Sequence, residues 1–273
     1  MLDEGPLDGP VVVLLHGFPE RSGSWRGVIP PLVAAGRRVL APDQRGYSPG
    51  ARPEGAKHYT LDLLVGDVLA LADQPGAEVF DLVVHDWGAA VAWALVSEHA
   101  AKVRTVTCLS VPHPRTMAAA LLRGQLFKSW YAVLFQLPRL PERLVRVRDG
   151  WVFRRVMPPV FGMSDSLVQE ALTLLREPGA ATATINWYRA VRHSSHLEIP
   201  GRVSRPTLYV RSDRDAALSR AAAVRTGQWV DCPYRFEILE GVSHWIPEER
   251  PKETAALVLE HLASVPVSAQ TTP

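Results

Sequence analysis

Cysteine is nearly absent: Cys108 and Cys232 are the two in 273 residues. They lie far apart and without metal-ligand spacing, which excludes a disulfide framework and a cysteine-built metal site. Both read as free thiols in a reducing compartment, and the cytoplasm is the expected location. No apolar run approaches the roughly 18 residues that a membrane-crossing helix requires, so no membrane partner is expected. The opening "MLDEGPLDGP" has no basic segment followed by an apolar core, and so no secretory signal is read there. Neither sign of charge dominates. The 30 basic and 28 acidic residues leave a formal net charge of +2, which gives no electrostatic case for nucleic acid. There is no internal repeat.

What is present describes a globular chain that can bury a sizeable core: 47% of residues are hydrophobic and 21% charged. The length fits one large domain with an insertion. Short branched runs alternate with helical patterns. "VVVLLH" (11–16), "RRVLAP" (37–42), "FDLVVH" (80–85), "VRTVTCLS" (103–110), "TLYVR" (207–211) and "YRFEILE" (234–240) read as buried strands. Helices are expected over 24–35, 60–73 with Thr60 as N-cap, 87–99, 217–229 and 248–264. This alternation predicts an α/β fold, a mostly parallel sheet with helices on both faces. The tail "VPVSAQTTP" reads as disordered.

The alternation stops between His113 and Pro200, which carry helical patterns and no convincing strand. The expected organisation is a core of residues 1–112 and 201–273 with a helical lid of residues 113–200. Arg139, Arg143, Arg146, Arg148, Arg154 and Arg155 crowd within that segment and read as a solvated basic face. A helical insertion between two sheet strands would lie over the strands' carboxyl ends, where open α/β sheets bind ligands.

The stretch "LVVHDWGAA" puts Asp86 where an apolar run ends and a Gly/Ala-rich run begins. Aspartate is a common helix N-cap. The same position is that of the nucleophile in a G-x-S-x-G elbow, a sharp strand-to-helix turn that needs small neighbours. Gly88 fills the second small position, while Val84 departs from the first. The elbow arrangement expects nucleophile, acid and histidine in that order. "SDRDAAL" offers Asp213 and Asp215 after one strand, and "GVSHWIPEERP" offers His244 after the last.

The chain resembles the α/β-hydrolase-fold epoxide hydrolases. The matching pieces are "HGFPE" (16–20), "PDQRGYSPGARP" (42–53), "HDWGAAVAW" (85–93), "SWYAVLFQLP" (129–138), "NWYR" (186–189), "SDRDAAL" (212–218) and "GVSHWIPEERP" (241–251). The resemblance implies an α/β-hydrolase fold with an inserted helical lid. It implies Asp86 as nucleophile, Asp215 as charge-relay acid and His244 as general base. Tyr131 and Tyr188 would hold the epoxide oxygen, and the backbone amides of Phe18 and Trp87 would form the oxyanion hole. A cis Phe18–Pro19 peptide is expected. His16 and His85 read as structural, Asp43 and Arg45 as a loop-fixing pair, and Tyr47 and Tyr59 as core-loop residues away from the lid. Relatives usually carry a strand pair before the first buried strand. Here ten residues precede Val11, which predicts a shortened pair and fewer than eight strands.

The residue types suit the chemistry. A carboxylate is anionic at neutral pH, since its reference pKa is roughly 3.9, and can attack an epoxide carbon directly to form an ester. Two phenols can stabilise the ring-opened alkoxide. A histidine oriented by an acid can then activate water against the ester. This predicts an apolar epoxide and water as the reactants, a vicinal diol as product, and no metal or organic cofactor. A haloalkane dehalogenase shares the aspartate, the following tryptophan and the histidine pair, but Phe18 stands where such enzymes often carry Asn or Gln. A fluoroacetate-type dehalogenase would want arginine where Trp87 stands. A non-catalytic ligand-binding protein on this fold has no need of Asp86, Asp215 and His244 together. A monomer or homodimer is expected.

Overall fold

The computed structural model describes residues 1–121, 125–193 and 200–265. The tail beyond Val265, read above as disordered, lies outside the described residues. Seven strands form one sheet: β1 (Leu2–Glu4), β2 (Val11–Leu15), β3 (Arg38–Ala41), β4 (Phe80–His85), β5 (Val103–Leu109), β6 (Thr207–Ser212) and β7 (Tyr234–Leu239). Their order is β1-β3-β2-β4-β5-β6-β7. Only β1 runs antiparallel, pairing Leu2 with Ala41, and the other five pairings are parallel. This single three-residue strand before Val11 gives the shortened start that the sequence predicts.

The core follows from the two-residue period of strands. Val13, Leu15, Leu82 and Val84 face one apolar cluster, while Val12, Leu14 and Val83 face the other. Strands β2 and β4 are buried from end to end, as parallel strands covered on both faces must be. Helices α2 (Leu61–Asp73) and α3 (Trp87–Glu98) cover the first face through Leu64, Val68, Val91 and Trp93. Helices α1 (Ile29–Ala34) and α13 (Pro251–Ser264) cover the second through Ile29, Leu32, Val258 and Leu262. Among the described residues, no helix is long and apolar enough to cross a membrane.

Several helix boundaries differ from the sequence reading, each for a local reason. Pro30 and Pro31 are tolerated only in a first turn, so α1 begins at Ile29, preceded by a separate 3-10 turn over Ser22–Trp25. Pro251 likewise starts α13 afresh after the short α12 (Ile246–Glu249). The helix expected over 217–229 shrinks to α11 (Arg220–Ala223) and a 3-10 turn over Thr226–Trp229. The amides of Ala217 and Leu218 are taken by the Asp215 carboxylate and that of Ser219 by Gln125. Thr60 precedes α2 without a side-chain capping bond.

Between β5 and β6 the described residues form helices and no strand: α4 (Pro114–Ala120), α5 (Gln125–Lys128), α6 (Trp130–Leu134), α7 (Leu140–Arg146), α8 (Trp151–Phe161), α9 (Asp165–Arg176) and α10 (Ala180–Ala190). Phe153, Phe161, Leu172 and Trp187 join the same apolar cluster as one face of the sheet. The chain leaves β2 toward β3 on one side and returns to β4 on the other. A crevice therefore opens beyond the carboxyl ends of β2 and β4, the place where such sheets take ligands.

The turn from β4 into α3 is set by close approach. A Cβ on Gly88 would stand 2.3 Å from the Leu15 carbonyl oxygen, whereas Gly66, on the exposed side of α2, has open space around it. Gly88→Ala is expected to lower stability by roughly 1–3 kcal/mol through overpacking. Gly66→Ala should raise it by about 0.5–1 kcal/mol through helix propensity. Urea unfolding of both variants checks the contrast; a neutral Gly88→Ala would refute the packing argument.

Candidate active site

Asp86 sits between β4 and α3 with φ 49° and ψ −119°. This is a left-handed backbone that a non-glycine residue holds only when its surroundings compel it. Val84 is still paired within β4, opposite Leu15 and Cys108, so its branched side chain suits its place. The tight approaches fall instead on Gly88 and on Gly17, where an added Cβ would stand 2.2 Å from the Asp86 Cβ. Asp86 makes no capping bond to α3. Its carboxylate turns outward: the Phe18 amide donates to Oδ1 at 2.9 Å, and His244 Nε2 lies 3.4 Å from Oδ2. The Phe18–Pro19 peptide is cis. Trp87 opens α3, so its amide is among those that a helix's first turn leaves without an intrahelical acceptor.

On the other side of the imidazole, His244 Nδ1 lies 2.9 Å from Asp215 Oδ2. The Asp215 Oδ1 atom accepts the Ala217 and Leu218 amides at 2.7 and 2.9 Å. Asp213, the competing carboxylate, instead accepts the Val242 amide. The His244 carbonyl is held by Ser110 Oγ at 3.0 Å and by His85 Nε2 at 2.9 Å. His85 Nδ1 in turn meets the buried Glu20 carboxylate at 2.9 Å.

Charge and burial act against each other here. Burial would push the His244 imidazole down, but the Asp215 charge and hydrogen bond, followed by Asp86, raise it well above its ordinary value. Burial would push Asp86 up; the hydrogen bond and charge of His244, then His85 and the Phe18 amide, hold it below the ordinary carboxylate value. Asp215 is held low against burial by His244 and its two amides. The resting arrangement is therefore an imidazolium between two carboxylates.

Above them lies an apolar cavity of about 120 Å³, lined by Asp86, His244, Phe18 and side chains of α6, α7, α8 and α10, among them Tyr131 and Tyr188. The two tyrosine rings lie 6.0 Å apart, near perpendicular. Burial first, then the Asp86 charge, keeps both phenols protonated far above their usual value. They are therefore hydrogen-bond donors at neutral pH. The Trp87 ring packs edge-on against the Tyr188 ring at 4.9 Å. The sequence-predicted Asp86, His244, Tyr131, Tyr188 and Phe18 thus converge on one cavity, and Asp215 stands behind the imidazole. Among the described residues no group of three or more potential ligands could hold a metal ion.

Two expectations need correction. Asp43 and Arg45 do not pair: Asp43 accepts from the Ser22 amide and hydroxyl, and Arg45 pairs with Asp67 at 2.6 Å. Tyr47 is not remote from the inserted helices. Its ring meets Trp187 of α10 at 5.8 Å, because the adjacent Gly46 lets the loop approach Ala183. Tyr59 is not remote either: it ends a 3-10 turn over Ala56–Tyr59 that packs against α10, and its hydroxyl donates to the Pro53 carbonyl.

Residues 10–251 match the alpha/beta hydrolase fold family. The AB hydrolase superfamily protein YfhM of Bacillus subtilis (strain 168) is 39% identical, over 94% of this chain and 92% of its own length. Epoxide hydrolase A of Mycobacterium tuberculosis (strain ATCC 25618 / H37Rv) is 34% identical, over 97% and 94% respectively. This chain belongs to the epoxide hydrolase family of the α/β-hydrolase fold. The crystal structure of epoxide hydrolase A from Mycobacterium thermoresistibile superposes on it with a TM-score of 0.83 at 27% identity, covering 97% of this chain and 94% of that one.

Within this epoxide hydrolase the sequence reading missed the residues that hold the site together. Arg189, next to Tyr188, donates to the Phe135 and Leu137 carbonyls at the end of α6 and pairs with Glu142 of α7 at 2.7 Å. It thereby fixes the helix of Tyr131 against that of Tyr188. Gln125 binds the Ala217 carbonyl and the Ser219 amide, and Lys128 donates to the Asp215 carbonyl at 2.8 Å. These last two residues tie the inserted helices to the loop of Asp215. A polar residue beside a motif tyrosine was the one available signal for Arg189. Nothing in the sequence points to Gln125 or Lys128.

Asp86→Asn removes a hydrogen bond and a charge that raise His244, so the imidazole should titrate at lower pH than in the unsubstituted protein, as read by NMR. His244 lies above its unfolded value of 6.5. Its stabilising contribution is therefore complete below that pH and is lost as pH rises through the folded value. The variant should begin to lose it at lower pH. An unchanged or higher imidazole pKa would contradict the pairing.

Proposed function

We propose that this chain hydrolyses an apolar epoxide to a vicinal diol through an ester on Asp86. The observation that carries the reading is one juxtaposition. A buried carboxylate faces an apolar cavity, with a histidine at one oxygen and two protonated phenols lining the same space. On this reading residues 113–200 form the lid domain over a core of residues 1–112 and 201–273.

Substrate enters the cavity with its oxygen toward Tyr131 and Tyr188. Asp86 attacks one ring carbon, the carbon–oxygen bond breaks, and a phenol protonates the departing oxygen, which stays tethered to the same molecule. Esterification removes the Asp86 charge, one of the causes that raise His244. The imidazolium can then return its proton to the phenolate and, now neutral, take a proton from the attacking water, oriented and stabilised by Asp215. Water attacks the ester carbonyl, and the oxyanion forms at the carboxyl oxygen that the Phe18 amide already holds, with the Trp87 amide as second donor. The oxyanion collapses, the ester carbon–oxygen bond breaks, the departing alkoxide takes the proton from His244 and leaves as the diol, and the regenerated Asp86 carboxyl returns its own proton to the imidazole. The cavity volume of about 120 Å³ approaches the ~150 Å³ of an engineered apolar cavity that accepts benzene, which favours a compact apolar epoxide. A reducing compartment such as the cytoplasm fits the two unpaired cysteines.

His244→Gln should let the first half of the reaction proceed and stall the second. Incubation with styrene oxide should add the mass of one substrate to the peptide that contains Asp86. Tyr131→Phe with Tyr188→Phe should slow formation of that adduct by roughly 10²–10⁴-fold, the usual worth of proton donation. Release of halide from simple haloalkanes without epoxide turnover would instead assign dehalogenation. A folded His244→Gln protein that never acquires the adduct would refute the ester.

A further inference from the structure

The segment from α5 to α8 presents an unusual surface. Phe127 is 85% exposed and Val133 62%, and Trp130 and Leu137, on and just after α6, are exposed with them. Leu140, Val147 and Trp151 continue the exposed apolar set onto α7 and α8. Large apolar side chains exposed together mark an interaction surface rather than ordinary scatter.

Charge is concentrated on the same segment. Residues 125–160 hold seven basic side chains and two acidic ones, in a chain of net charge +2. Both acids are already neutralised: Glu142 pairs with Arg189 at 2.7 Å, and Asp149 pairs with Arg176. Arg139, Arg143 and Arg146 line one shallow groove with Val147 and Thr182, and none of the three forms an ion pair among the described residues. The Arg155 guanidinium lies over the exposed Trp151 ring at 5.7 Å.

We propose that this face of the inserted helices adsorbs to an anionic lipid surface. Apolar side chains would enter the head-group boundary, tryptophans would sit at its level, and the arginines would meet lipid phosphates. The sequence alone pointed to a solvated basic face and no membrane partner. The exposed aliphatic and aromatic residues between the arginines change that reading, since a purely solvated face has no use for them. A second copy of the chain fits less well, because a self-complementary contact would bring two arrays of the same sign together. Trp130 belongs to both places: it is part of this surface and lines the cavity over Asp86. On the epoxide reading above, adsorption would set the cavity beside the phase into which apolar epoxides partition. That last step rests on the epoxide reading; the adsorption itself does not.

Flotation with vesicles tests the proposal. The protein should float with vesicles of equal parts phosphatidylglycerol and phosphatidylcholine at low salt. It should not float with phosphatidylcholine alone, and high salt should release it. Each basic residue near an anionic surface is worth about fivefold in partitioning, so losing three should lower it by roughly a hundredfold, and Arg143→Glu, Arg146→Glu and Arg155→Glu together, which also add three repelled charges, by more than that. Phe127→Ser with Val133→Ser should lower it about tenfold or more. Thermal melts of these variants and of the corresponding Arg→Gln triple, which should lose binding to a lesser degree, exclude simple unfolding. Asp86→Asn should float like the unsubstituted protein, which separates this result from any outcome of an activity assay. Failure to float at low salt, equal flotation with phosphatidylcholine alone, or indifference to the triple reversal would overturn the proposal. A dimer in light scattering that Phe127→Ser with Val133→Ser dissolves, without vesicle binding, would assign the face to a second copy and overturn it too.

Discussion

A cationic ring buried between two carboxylates is the interaction on which the site depends. Removing any of these charges from water is costly, and a buried carboxylate without partners would take up a proton. Here each charge is answered from a different part of the sheet. Phe18 follows β2 and Asp86 follows β4. Ser110, which holds the His244 carbonyl, follows β5, while Asp215 and His244 follow β6 and β7. These five strands are neighbours in the order observed. The parallel sheet therefore brings all five carboxyl-end loops to one edge, which no local segment of the chain could do alone.

The same site requires Asp86 to keep a strained backbone, and the surroundings hold it there from three directions. Gly17 lets the first loop close upon it, Gly88 lets α3 press against β2, and the Phe18 amide fixes the carboxylate. The inserted helices are fastened no less firmly. The Trp187 indole donates to the Arg45 carbonyl and the Trp245 indole to the Phe161 carbonyl, so each side supplies one tie. Arg189 then sets Tyr131 against Tyr188 within the insertion itself. The phenols are thus positioned by a buried ion pair and two carbonyl bonds rather than by packing alone.

Much of this was legible in the sequence because it is periodic or punctuated. Branched runs gave six of the seven strands, and the small residues around Asp86 gave the turn. The order of Asp86, Asp215 and His244 along the chain gave their convergence, since each follows a strand. What escaped had no local signature. Strand β1 is three residues long and exists through pairing with β3. The helix expected over 217–229 starts later, at Arg220, because residues 217–219 form a loop whose amides are held by Asp215 and Gln125, contacts from outside the segment. Tyr47 looked remote because sequence distance hid the approach that Gly46 permits. Polar ties such as Gln125, Lys128 and Arg189 connect segments far apart in the chain, and side chains of these types are ordinarily found on the surface.

The electrostatic arrangement also orders the proposed reaction in time. While Asp86 is ionised, His244 is held as a cation and cannot accept a proton from water, so the site is poised for attack on an electrophile and not for hydrolysis. A carboxylate held below its ordinary pKa is a weaker nucleophile than an unpaired one, but it is fully charged across the neutral range and lies in a water-poor cavity where its attack is not screened. Forming the ester removes a negative charge from the histidine's side of the cavity. Asp215 remains, bonded to two amides and to Nδ1, and keeps the ring oriented with Nε2 toward the ester. The change of one group from anion to neutral ester therefore removes one of the two carboxylates that hold its neighbour as a cation and moves it toward the role of base. A buried chain of two carboxylates and one imidazole suits this task better than an exposed one, because in water the loss of a single charge would be felt only weakly by the ring beside it.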